Sequence, residues 1–127
     1  MSQPLRDHEQ EIASPQGHAI GFVDTAAQCD KFTQSLNMAG FSARTIKVLQ
    51  GDDGANLLRR MMTGSLWGET AELVLKQGLV ELGNGHYVVI IDCEDHDEAM
   101  VIARIANLHG GRAFNYFGVL VDEQITR

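Results

Sequence analysis

The chain has 127 residues, 44% of them hydrophobic, which suffices for one domain with a buried core. Its 17 acids and 10 bases leave a formal net charge of −7, and the bases are scattered rather than gathered into a stripe, which argues against a nucleic-acid partner. No apolar run approaches the roughly 18 to 20 residues that span a bilayer, and the opening segment lacks a signal-peptide core, so the expectation is a cytoplasmic protein with no membrane partner.

Residues 1–16 are polar, hold both prolines (Pro4 and Pro15) and show no period; they read as a mobile tail ahead of a single domain over 17–127. HAIGFV (18–23) predicts a strand. Thr25 stands three residues before Gln28, a capping-box spacing, and Cys29, Phe32, Leu36 and Ala39 then form one apolar stripe that ends at Gly40. FSARTIKVLQ (41–50) alternates Ile46 and Val48 with Thr45 and Lys47, as in a half-exposed edge strand.

Residues 51–84 depart from this pattern. Asp53 is placed to cap a short helix carrying Leu57, Leu58, Met61 and Met62 on one side and broken at Gly64. Ser65 is placed to cap a second helix with Trp67, Ala71, Val74 and Leu75, fading at Gly78 or Gly83. Roughly 30 residues exceed a hairpin loop, so 51–84 reads as a helical insertion. YVVIID (87–92) is apolar on both sides of the pleat, as a central strand covered on both faces would be. Asp95 and Glu98 repeat the capping spacing, Ala99, Ile102, Ala103 and Ala106 form a stripe, and His109-Gly110-Gly111 ends the helix. RAFNYFGVLV (112–121) is a last strand with Phe114 and Tyr116 on one face and Phe117, Val119 and Val121 on the other; a short polar tail follows.

The two halves repeat one another. Gly17-His18 and Gly85-His86 open equivalent strands, Asp24 matches Asp92, and each following helix stops at glycine. Two strand-helix-strand halves predict an α+β fold: a ferredoxin-like βαββαβ sandwich, a four-stranded antiparallel sheet with two helices on one face and the helical insertion between strands 2 and 3. The two Gly-His strands are expected as central, parallel neighbours. Their second apolar face then needs cover from the insertion or from a second subunit. This leads to the expectation of a homo-oligomer, a dimer in the simplest case, with Phe114, Phe117, Val119, Leu57, Met61 and Trp67 at its interface and the insertion available to a protein partner.

Four segments, GFVDTAAQ, NMAGFSARTIKVLQGDDG, GNGHYVVIIDCED and IANLHGGRAFNYFG, resemble a family of small bacterial proteins of the ferredoxin-like, general-stress or heat-induced-stress-protein type. The resemblance spans most of 17–121 and implies a bacterial cytosolic setting and the fold above; it transfers no catalytic residue. The topology is also similar to that of the nitrogen-regulatory PII trimer, which carries a long loop at the same place.

Candidate chemistry is sparse. In parallel register His18 and His86 would lie about 5 Å apart on adjacent strands and, with Tyr116, line a small-molecule site between sheet and insertion; the plainer reading is two exposed strand starts. CEDHDE (93–98) offers Cys93, His96 and several acids, yet no second ligand pair accompanies them, and acids at a helix start serve its dipole. The neighbouring acids would raise the Cys93 pKa, the opposite of what a nucleophile needs. GDDG (51–54) lacks the ending of a phosphate loop. The aromatics of the last strand lack the basic surface of an RNA platform. No metal or other cofactor is expected. The leading function is a non-enzymatic, oligomeric regulatory or stress-associated domain acting through protein contacts. A small-molecule sensor and, third, a dimeric α/β-barrel enzyme with a His base are the alternatives.

Overall fold

A computed structural model of the chain describes residues 16–63, 68–118 and 122–127. The residues assigned above to the N-terminal tail up to position 15, the cap Ser65, Trp67, Val119 and Val121 lie outside the described residues. The elements run β1 (His18–Val23), α1 (Ala26–Met38), β2 (Ile46–Leu49), α2 (Gly51–Thr63), α3 (Gly68–Gly83), β3 (Tyr87–Asp92), α4 (His96–Leu108), β4 (Arg112–Phe117) and β5 (Asp122–Gln124). They form a mixed α+β protein on one antiparallel sheet of order β2-β3-β1-β4-β5.

Local signals account for most boundaries. The Thr25 hydroxyl accepts the Gln28 N–H at 3.1 Å and starts α1, while Asp95 does the same for Glu98 at 2.9 Å and starts α4. Gly40 follows the end of α1 with φ +105°. Cys29, Phe32 and Leu36 of the first stripe are buried, whereas Ala39 is exposed at the C-cap. The α2 helix begins at Gly51, so Asp53 lies in its first turn rather than capping it, where with Asp52 it favours the helix dipole. Gly78 stays inside α3, which continues to Gly83.

The four-stranded expectation is corrected by β5. Asp122–Gln124 turns back along Asn115–Phe117, and the chain end continues the pairing: Ile125 N–H donates to the Phe114 carbonyl at 2.8 Å, and the buried Thr126 hydroxyl accepts the Phe114 N–H at 2.7 Å. The backbone of a fully buried residue must find partners, and the polar tail supplies them.

The direction of the central pair is also corrected. β1 and β3 are neighbours, but antiparallel, with His18 opposite Asp92 and Val23 opposite Tyr87. Each half keeps its own two strands in one direction. Because β3 returns antiparallel to β2, it must also oppose β1.

Both sheet faces are covered within one chain. On one, Ala19, Val23, Val89, Ile91, Phe114 and Tyr116 pack with Cys29, Phe32 and Leu36 of α1 and Ala99, Ile102 and Ala106 of α4. On the other, Ile20, Phe22, Val88, Ile90 and Phe117 pack with Leu57, Leu58 and Met61 of α2 and Ala71, Leu75 and Leu82 of α3. The insertion is thus the cover that the apolar strands required. At about 1.5–3 kcal/mol per buried large side chain, this second layer stabilises the sheet alongside the first. Gly21 in mid-β1 makes the α1/α4 side possible: a Cβ there would come within 2.2 Å of the Phe114 ring, which stands edge-on to Phe32 with centroids 5.4 Å apart.

Candidate functional site

Among the described residues, the largest cluster of interacting charges gathers at the ends of four elements. Asp24 follows β1, His86 precedes β3, Arg112 opens β4, and Glu81 lies in the last turn of α3. The β1/β3 register that pairs Val23 with Tyr87 brings Asp24 opposite His86. Arg112 arrives by an irregularity. Between Ile20 and Phe22 the β1/β4 register shifts by one residue, and Ala113 takes φ +54°, a conformation rare outside glycine. Simple alternation would set Arg112 on the face of Phe114. The bulge instead sets it opposite Phe22, on the side covered by α3.

There the guanidinium bridges two carboxylates. Its Nη2 donates to Glu81 Oε1 at 2.6 Å and Nη1 to Glu81 Oε2 at 3.3 Å; Nε donates to Asp24 Oδ1 at 3.0 Å, and Nη2 makes a further short contact with the same oxygen. Gln77 Nε2 donates to Glu81 Oε2 at 3.0 Å, and His86 Nδ1 lies 2.8 Å from Glu81 Oε1 and 3.6 Å from Asp24 Oδ1. Glu81 is the buried member, 6% exposed. Arg112, His86 and Gln77 together outweigh its burial and hold its carboxyl down to about 2. An ionised carboxylate only accepts, so the proton shared between His86 Nδ1 and Glu81 Oε1 is donated by the ring.

The donor atoms of Asp24, Glu81 and His86 lie within 4.8 Å of one another, a separation compatible with a shared divalent ion. The Arg112 guanidinium, however, already bonds to both carboxylates. An ion placed among them would have to displace it, so the arrangement fits a built-in cation better than a bound one.

The repeat explains a second pair. Antiparallel pairing of equivalent strands sets each histidine against the other half's aspartate, so His18 Nε2 lies 3.3 Å from Asp92 Oδ1 at the far end of the sheet. His18 and His86 are therefore separated by the length of a six-residue strand, roughly 20 Å, rather than adjacent. Tyr116 is buried against α1 and α4, on the opposite face from the insertion. The trio His18, His86 and Tyr116 does not assemble. The expected interface residues Phe114, Phe117, Leu57 and Met61 are at most 8% exposed and belong to the chain's own two cores.

The acidic turn serves structure. Asp95 caps α4, Glu98 accepts the Glu94 N–H at 2.8 Å, and exposed His96 ties α4 to β5 through Glu123 at 2.9 Å, a contact that raises the His96 pKa. Cys93 is fully buried and burial pushes its thiol up to about 12; burial likewise raises Cys29. Neither has the exposure of a reactive thiol. An open groove of about 520 Å³ lies instead along the β2 edge, between Lys47, Val48 and Gln50 and the α2 residues Asp53, Asn56, Leu57 and Arg60.

Sequence reasoning missed Glu81 and Arg112. Glu81 did leave a trace: it falls at i+7 from Val74 and i+3 from Gly78, an acid within an otherwise apolar stripe. Arg112 left none, because its direction depends on the bulge.

Comparison with protein-family models, with curated proteins and with solved structures yields no match to this chain. The class is accordingly defined by its own geometry: an α+β domain whose antiparallel sheet is closed on both faces by its own helices.

Proposed function

We propose that this protein is a non-enzymatic, oligomeric domain of regulatory or stress-associated role, acting through protein contacts made at its sheet edges. One observation carries the reading: the sheet faces and the main ionic cluster are occupied from within the chain, whereas among the described residues β2 and β5 are each paired on one side only. Open strand edges are the part of such a domain able to add another chain. The order β2-β3-β1-β4 within the repeated unit supports the ferredoxin-like assignment, with α2 and α3 inserted and β5 added. The resemblance to bacterial stress proteins belongs to the same proposal, as does a cytoplasmic setting.

Thermal-shift screening against nucleotides, divalent metals and metabolites tests it. A ligand that binds only the native state raises Tm by mass action, so the expected result is no saturable shift. A saturable shift would overturn the reading in favour of a sensor or an enzyme. The His86–Glu81 contact favours that second reading, since a buried carboxylate orients the ring as in many metal-binding and acid–base sites. Any such ligand must then lose its effect in His86→Ala.

A further inference from the structure

The two edges of the sheet carry opposite charge. Residues 44–60, from the turn before β2 into α2, hold four bases, Arg44, Lys47, Arg59 and Arg60, against two acids, Asp52 and Asp53, and Lys47 and Arg60 line the groove along β2. This local excess of positive charge sits on a chain whose net charge is −7. Beside β5 the balance reverses. Asp122 is exposed, Glu123 meets His96, and the adjoining turn into α4 presents exposed Glu94, Asp95 and Asp97, against one exposed base, Arg127, at the end of the segment. The register places this acidic surface at one end of the sheet, since Asp92, His18, Phe117 and Asp122 form a single cross-strand row.

We infer that the β2 edge of one copy docks against the β5 edge of the next, continuing the sheet from molecule to molecule. This rests on the protein-contact reading above and names the partner as a second copy of the chain. Charge selects the pairing. A two-fold contact of β2 with β2 would bring two basic edges together, and β5 with β5 two acidic ones; like charges brought close across strands are unfavourable. Only β2 with β5 sets bases against acids. Such a head-to-tail contact leaves a free edge at each end, so it propagates into open chains or closes into a ring instead of stopping at a dimer. The edges are short, four and three residues, so association is weak and grows with concentration.

Sedimentation velocity from micromolar to near-millimolar protein, at low and at half-molar salt, tests this. The expected result is a mass that climbs beyond the dimer at low salt and falls toward the monomer at high salt, where exposed charges are screened. Two paired substitutions that invert the charge of an edge are made at exposed or half-exposed positions: Arg44→Glu with Lys47→Glu, and Asp122→Lys with Gln124→Lys. Circular dichroism is used to check that each variant folds. Each reversed variant alone is expected to stay monomeric. Mixing the two restores association, because the acidic β5 edge of the first then meets the basic β2 edge of the second. A monomer at every concentration, a saturating dimer, or association unaffected by the β5 reversal would each overturn edge pairing. A monomeric protein with a silent ligand screen would overturn edge pairing and the oligomeric part of that reading but leave contact with a different protein as its function, whereas a saturable ligand shift would remove the protein-contact reading itself.

Discussion

Replacing Arg112 by alanine isolates the ionic cluster. Holding the Glu81 carboxyl at about 2, against an ordinary 4.5, amounts to about 3 kcal/mol of stability at neutral pH. Arg112 is the largest contributor, with His86 and Gln77 adding smaller shares, so Arg112→Ala is expected to cost about 2 kcal/mol. For a domain of this size that is a fall in Tm of roughly 6–10 °C. The cost is kept below that of a fully buried pair because the Arg112 and Asp24 side chains are 38% and 43% exposed. A depressed carboxyl pKa stabilises fully above 4.5 and loses its contribution as pH falls through 2, so the gap between wild type and variant should narrow across that window. Urea unfolding at pH 7, 4 and 2.5, together with Glu81→Gln and the double variant, measures both effects; the cycle should show a coupling of about 1–2 kcal/mol. A gap below about 0.5 kcal/mol at pH 7, or one independent of pH, would refute the account of Glu81 as a buried, ionised partner of Arg112.

Three further outcomes follow from the packing. Gly21→Ala drives a methyl to within 2.2 Å of the Phe114 ring and should destabilise by about 3 kcal/mol or more, visible as a lowered urea midpoint or loss of soluble protein. Leu58→Ala, at a fully buried position on α2, should cost about 2–5 kcal/mol by denaturant titration; a neutral effect would show that the insertion does not seal the sheet. Cys29 and Cys93 should be silent to a thiol reagent at pH 8 in the native state and react only on unfolding, whereas rapid modification of either would contradict their burial.

What was legible from sequence alone was whatever is decided within a few residues. Thr25 and Asp95 announce their helices because a cap needs only the next turn of chain. The alternation in Ile46–Leu49 identifies an edge strand, and the continuous apolar run of Tyr87–Asp92 identifies a strand covered on both faces. The repeat of Gly-His and Asp was visible too, and with it the equivalence of the two halves. Strand direction was not. The same repeat suits parallel or antiparallel neighbours, and only the return of β3 beside β2 sets each histidine against the other half's aspartate. The polar tail became a strand because Phe114 needed backbone partners that no local pattern reveals.

The site shows the same division. Composition established that both faces of the central strand need cover; tertiary structure decided that α2 and α3 supply it, which moved Phe117, Leu57 and Met61 from a supposed interface into the core. Glu81 and Arg112 are 31 residues apart in sequence and meet only because a one-residue bulge at Ala113 turns Arg112 toward α3. Propensity, capping and periodicity are short-range properties and can be read along the chain. Register, bulges and the pairing of distant charges depend on the simultaneous placement of several elements, and a buried carboxylate acquires its partner only when they pack.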